Sequence, residues 1–223
     1  MIPLDTAPYA PFMDPRTARP PGLSALDMRE WTVRHADFDA QMAYRRRLLA
    51  ERPELVLGAI SEGEDPAEEL LEMLLAHLGD PRPLTHEERF CQLTAIGRLV
   101  AEDFCLMVAD ACGEYRLAAA VLCFPSRWLL SEKFGRPMTP IHDPVPGYAG
   151  DLAKRVNRVL EALRPERPLV RVNWSVHPTP ELFLPQGEKE KAADTDASGP
   201  FYLRTERQTL VRLPRTGAVA FGI

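Results

Sequence analysis

The chain has 223 residues, 45% hydrophobic and 26% charged, which supports one globular domain of ordinary size with a real core. Its 32 acidic and 27 basic residues leave a net charge of −5, the reverse of the balance a nucleic-acid or anionic-membrane binder usually carries. No apolar run reaches the roughly 18–20 residues that span a bilayer, and the opening MIPLDTAPYAPFMDP has no basic stretch leading into an apolar one, so neither membrane insertion nor secretion is expected.

Residues up to about Leu26 are Pro-rich and read as a surface strap. A helix is predicted over Phe38–Glu51, stopped by Pro53, with Met42, Leu48 and Leu49 on its apolar side. Arg45, Arg46 and Arg47 in its second half suit the negative end of the helix dipole and read as a solvated face rather than a phosphate patch. Asp65 is expected to cap a second helix, with Pro66 at its first position and Glu68 three residues after the cap. Leu70, Leu71, Leu74, Leu75 and Leu78 line one side of it, and Gly79 ends it. Thr85 and Glu88 repeat the capping pattern before a third helix, roughly His86 to Glu102.

The character then changes. FCLMVAD (Phe104–Asp110) and YRLAAAVLCF (Tyr115–Phe124), joined by a short turn holding Gly113, are a hairpin signal. A Pro-punctuated irregular segment, Pro125 to Gly147, leads to a helix predicted over Tyr148–Leu163, with Leu152, Val156, Val159, Leu160 and Leu163 on one side. LVRVNWSV (Leu169–Val176), FYLRTERQTLVRL (Phe201–Leu213) and AVAFGI (Ala218–Ile223) are strand-like, and a polar loop, Gln186–Gly199, parts the first two. Two strands, a helical insertion and three strands make an α+β chain with an antiparallel two-plus-three sheet. The order resembles the PAS arrangement, in which a five-stranded sheet and the inserted helices enclose a ligand. Residues 1–84 are read as strap and helical extension, and 85–223 as the PAS-like domain.

Cys91, Cys105, Cys112 and Cys123 include no C-x-x-C pair, which leaves zinc-ribbon, thioredoxin and covalent-haem motifs unsupported and fits a reducing cytoplasm. No G-x-G-x-x-G, P-loop or G-x-S-x-G string is present. Alternation along Phe201–Leu213 puts Arg207 as the one charge on an apolar side, where a buried guanidinium needs an acid or a bound anion. The other side, with Arg204, Glu206, Gln208 and Arg212, reads as an ordinary solvated or interface face. On Leu169–Val176 the apolar Val170, Val172, Trp174 and Val176 oppose Arg171, Asn173 and Ser175, with His177 next in line. Asn173 suits either orienting a substrate or satisfying a loop. His142, between Pro140 and Pro144, is presented from a stiff segment, which suits an axial haem ligand as well as a structural histidine. No second histidine or carboxylate stands at zinc-like spacing.

CFPSRW (Cys123–Trp128), EKFG (Glu132–Gly135), IHDPVPGY (Ile141–Tyr148), RVNW (Arg171–Trp174) and ERQTLVRLP (Glu206–Pro214) occur together and in order. The set resembles the α subunit of haem-dependent oxidative N-demethylase and its relatives, once a domain of unknown function, from about Trp31 onward. The resemblance implies a PAS-like fold with non-covalent haem b. It implies oxidative removal of a methyl group from a small secondary amine such as dimethylamine, giving a primary amine and formaldehyde. Oxygen is the oxidant, and NADPH electrons arrive through a partner reductase with FMN and a 2Fe–2S cluster. A tetrahydrofolate-binding partner captures the formaldehyde.

Carried onto this chain, the resemblance makes His142 the expected iron ligand, with His177 as the fallback. Cys123 is disfavoured because it lies in an apolar strand without an evident positive neighbour. Arg207 and Glu206 are the expected catalytic pair, one of them holding the cationic amine, although a regular strand points them to opposite sides. Arg127, Trp128, Lys133, Tyr148, Asn173 and Trp174 are expected around the haem. The chain stops at AVAFGI, where members of that family continue, so a further C-terminal segment is expected to be missing. The rival reading is a haem-binding PAS-like sensor or a non-catalytic relative, because fold alone does not determine function.

Overall fold

A computed structural model describes residues 9–13, 22–141, 151–187 and 199–223. After the strap come a two-residue strand β1 (Ser24–Ala25), helices α1 (Phe38–Glu51) and α2 (Pro53–Val56), and strand β2 (Leu57–Ala59). Helices α3 (Glu64–His77), α4 (His86–Phe90) and α5 (Gln92–Leu99) precede the hairpin β3 (Phe104–Ala109) and β4 (Tyr115–Val121). The insertion carries α6 (Met138–Ile141) and α7 (Asp151–Ala162), and β5 (Leu169–His177), β6 (Tyr202–Arg212) and β7 (Val219–Gly222) follow.

Among the described residues the strands form one antiparallel sheet in the order β1-β5-β6-β7-β3-β4-β2. Its five long strands run β5-β6-β7-β3-β4, so the last strand lies beside the first of the hairpin and joins the two halves. This is the expected α+β arrangement, with a two-plus-three sheet and inserted helices. The edge strands β1 and β2 extend it, and two or three residues are too few to show the period-two pattern that announces a strand.

Helix α1 has the predicted span. Helix α3 begins earlier than expected: a 3-10 turn, Ser61–Gly63, runs straight into it, Gly63 takes the cap position, and Asp65 does not cap. Gly63 is needed there because a Cβ would stand 2.6 Å from the Ala118 carbonyl oxygen and 2.7 Å from Ala119 Cβ. The predicted third helix is broken at Cys91, whose φ of −132° and ψ of 43° separate α4 from α5. The capping box at Thr85 and Glu88 is present with both of its hydrogen bonds, 3.2 and 2.8 Å. Leu78 lies past the end of α3 and is 38% exposed, so it does not share the buried stripe of Leu70, Leu71, Leu74 and Leu75.

Both sides of the sheet are covered. The outer side, with Phe104, Leu106, Ala119, Val121, Val211 and Ala220, packs against Leu48 and Leu49 of α1, the leucines of α3, Ile96 of α5 and Trp31. The inner side, with Cys105, Met107, Leu117, Val219 and Phe221, packs against Leu130, Ile141, Val156, Leu160 and Leu163 from the insertion. A ligand seated between sheet and insertion therefore meets the inner side. No helix among the described residues is long and apolar enough to cross a membrane.

Candidate functional site

Strands β5 and β6 pair in unbroken register from Leu169↔Leu210 to His177↔Tyr202. Four cross-strand pairs therefore stand in a row on the inner side: Arg171 with Gln208, Asn173 with Glu206, Ser175 with Arg204, and His177 with Tyr202. Of the two readings of this β6 side, solvated or interface, the first does not hold at Arg204 and Glu206. The Arg204 and Glu206 side chains are only 10% and 13% exposed. The Glu206 carboxylate accepts hydrogen bonds from Arg204 Nε at 3.0 Å and Gln208 Nε2 at 3.2 Å. Arg204 is itself held, donating from Nη1 to the Leu182 carbonyl at 3.0 Å and from Nη2 to the Phe124 carbonyl at 2.6 Å. A carboxylate is thus locked in one orientation on a half-buried sheet.

Cations surround it. Burial pulls the Arg171 guanidinium below its ordinary value while Glu206 pulls it back up. Among the described residues it makes no ion pair within 4.0 Å, only a long contact from Nη2 to Asn173 Oδ1 at 3.5 Å. At the far end of the row His177 is held below the ordinary imidazole value, first by burial and then by Arg204 and Arg127, with Glu206 opposing. Arg127 sits on a turn clamped to the loop that follows β5: Ser126 bridges Leu184, the Arg127 N–H donates to the Leu184 carbonyl at 3.0 Å, and its Nε donates to Gln186 Oε1 at 3.0 Å. Its φ of 62° makes it the one non-glycine among the described residues in the left-handed region, a conformation of roughly 1–2 kcal/mol that the clamp sustains.

Other expected site residues fall elsewhere. Arg207 lies on the outer side, opposite Glu206, because the register has no bulge to turn it. Among the described residues it makes no ion pair within 4.0 Å, although its charge reaches Glu102; its Nη1 and Nη2 donate to the carbonyls of Trp31 at 3.2 Å and Glu30 at 2.5 Å, pinning the 3-10 turn ahead of α1. The two expected catalytic residues therefore do not converge. Trp174 is also on the outer side, 45% exposed and edge-on to Phe12 at 5.5 Å. Trp128 packs against the inner core with the Lys133 ammonium 5.8 Å from its ring centre, and Lys133 donates to the Ile141 carbonyl. Asn173 is on the inner row. His142 and Tyr148 lie outside the described residues.

Cys123 does have a cation nearby, Arg45, but burial and Asp103 outweigh it and push the thiol up to about 12, so it remains a protonated core residue. No group of three or more His, Cys, Asp or Glu among the described residues is arranged to hold a metal ion. Sequence reading missed Arg171, Arg204 and Ser126. The signal for the first two is present in the sequence, since they alternate with Asn173 and Glu206, but alternation alone does not say what lies over that side.

Haem is a flat apolar macrocycle with carboxylates along one edge, and the inner side has matching parts. Met107, Leu210, Phe221, Ile141 and Leu160 supply an apolar half. The polar row supplies the other, and two buried polar atoms on it have no hydrogen-bond partner, Arg171 Nε and His177 Nδ1. Buried polar groups are seldom left unpaired, so the residues present fit a polar-edged ligand between β5 and the insertion. Residues 82–223, which hold the hairpin, the insertion and the three closing strands, match the sequence model described as haem-dependent oxidative N-demethylase, alpha subunit-like. The chain belongs to that family.

Proposed function

We propose that this chain is a haem-b-binding subunit that oxidatively removes a methyl group from a small secondary amine such as dimethylamine, yielding a primary amine and formaldehyde. Oxygen is the oxidant, NADPH electrons come from a partner reductase with FMN and a 2Fe–2S cluster, a tetrahydrofolate-binding partner takes the formaldehyde, and the setting is the cytoplasm. The observation that carries this reading is the Glu206 carboxylate, nearly buried and locked by Arg204 and Gln208 on a sheet face that fits a polar-edged ligand.

When bound, the haem supplies the oxygen and one-electron chemistry. The protein's work is the remainder. A secondary amine is an ammonium ion at neutral pH and has no free lone pair to oxidise. Glu206 attracts that cation and accepts one N–H proton, which releases the lone pair. Arg204 and Gln208 keep the carboxylate oriented, so little reorganisation is needed as the proton moves. The Arg171 guanidinium stabilises negative charge growing on the oxidant side. Met107, Phe221 and Leu160 exclude water from the reacting atoms. His142 is the proposed iron ligand on the strength of its motif, and Trp128 and Lys133 border the insertion side. Arg207 acts on the 3-10 turn ahead of α1 and not in the reaction.

Replacing Glu206 with Gln tests this. The haem-loaded variant is expected to keep its Soret band and lose the band shift that dimethylamine induces in the wild type. Formaldehyde production with the reductase supplied is expected to fall roughly 10²–10⁴-fold. An undiminished amine response in Glu206→Gln would sink the reading.

A further inference from the structure

His177 is the last residue of β5 and is 4% exposed. Its Nε2 lies 2.8 Å from Ser175 Oγ and 3.4 Å from Ser126 Oγ, so two hydroxyl groups crowd one ring nitrogen. A hydroxyl donates readily to a bare Nε2, which places the ring proton of the neutral imidazole on Nδ1. That Nδ1 is buried and has no partner. A buried N–H donor without an acceptor is rare, and the missing acceptor has a predictable sign. Besides burial, Arg204 and Arg127 oppose protonation of the ring and Glu206 alone favours it, so cations outnumber anions around it. Such a balance favours an anionic acceptor and repels a metal cation that would need the other tautomer.

The surroundings are built to hold this donor in place. Ser126 sits on the turn that bridges Leu184, and Arg127 in its left-handed conformation ties that turn to the loop after β5 through Leu184 and Gln186. Ser175 precedes His177 by two residues on the same side of the strand. Asn173, paired with Glu206, is four residues back, about 13 Å along a strand. A carboxylate at His177 and an ammonium at Glu206 thus occupy separate ends of one sheet face.

We infer that His177, with Ser175 and Ser126 behind it, is a carboxylate-binding position that anchors the acidic edge of bound haem at the β5 end of the inner face. The inference rests on the haem reading above and adds the orientation of the group and the residue that sets it. A small free carboxylate offers the same chemistry, and the experiment separates the two sources.

Ferric haem b and its dimethyl ester, which lacks free carboxylates, are titrated into wild type, His177→Phe, His177→Gln and Ser175→Ala, with the Soret band as readout. The wild type is expected to bind haem b at least 10-fold more tightly than the ester. His177→Phe should bind the two alike with an unmoved Soret maximum, His177→Gln should regain part of the preference through its amide N–H, and Ser175→Ala should lose part of it. Should His177→Phe fail to fold, Ser175→Ala and His177→Gln carry the comparison. A full preference retained in the variants overturns the inference, as does a Soret band abolished in His177→Phe, which would make His177 the iron ligand. If wild type binds haem and ester equally while acetate shifts the His177 Nδ1–H resonance, the ligand is a free carboxylate and the haem orientation is overturned. A wild type that binds neither overturns the haem reading together with the inference, a result distinct from all the others.

Discussion

Arg45 of α1 and Asp103, just before β3, form an ion pair whose side chains are 0% and 2% exposed. Asp103 also accepts from the main-chain N–H groups of Cys123 at 2.7 Å and Phe124 at 2.8 Å. Arg45 spends its remaining donors on the carbonyls of Gly97 at 3.2 Å and Glu102 at 2.9 Å. Asp103→Ala strands a buried guanidinium and two buried N–H groups at once. Breaking a buried pair from one side costs about 3–5 kcal/mol, and each orphaned N–H adds about 1–3 kcal/mol. These costs overlap, so the expected loss is about 5 kcal/mol, comparable with the whole stability of a small domain. Arg45→Met leaves Asp103 with its two N–H donors and should cost less, about 3 kcal/mol. The double variant should then be more stable than the sum of the singles predicts, by about 2–3 kcal/mol. Equilibrium urea unfolding with a common m-value measures all three. Additivity within about 0.5 kcal/mol would refute the argument that this pair ties the helical extension to the sheet. The pair also bears on the site, because the Phe124 carbonyl receives Arg204 Nη2, which in turn holds Glu206.

Gly63→Ala should destabilise by about 1–3 kcal/mol, because the new methyl group meets a main-chain carbonyl of β4 that cannot turn aside; an unchanged melting temperature would mean α3 sits further from the sheet than described. Burial holds Glu102 above its ordinary carboxylate value of 4.5, while the Val33 N–H and the nearby arginines pull the other way. A carboxyl that keeps its proton longer folded than unfolded stabilises the protein at acid pH, and that contribution is lost as pH rises through its folded value. Glu102→Gln retains an oxygen for Val33 and removes the loss, so its melting temperature should exceed the wild-type value at pH 7 and approach it near pH 4. A variant with the wild-type pH profile contradicts the assignment.

Periodicity was legible wherever an element had enough residues to show it. Helix α1, β3 and the three closing strands lie within a residue or two of their expected bounds, while β4 ends at Val121, three residues short of the expected Phe124. What failed was local geometry without a pattern: the 3-10 entry that moved the start of α3, and the kink at Cys91. At the site, alternation sorted β5 and β6 into the correct two sides but does not say what covers each. Arg207 stands out in sequence as a lone charge among apolar neighbours, yet the main-chain carbonyls of Glu30 and Trp31 accept its hydrogen bonds. The polar row of Arg171, Asn173, Glu206 and Arg204 resembled a wet face because its residue types are those of wet faces. Only the three-dimensional structure shows the Arg204–Glu206 pair to be nearly buried, with the Phe124 and Leu182 carbonyls on Arg204.

We propose that this chain holds haem with His142 as the iron ligand. The most direct test is the visible spectrum of protein purified with haem supplied, for wild type, His142→Ala and His177→Ala. The account predicts a Soret band in wild type that is lost or strongly shifted in His142→Ala and keeps its position in His177→Ala. Folded wild-type protein without a Soret band would contradict it.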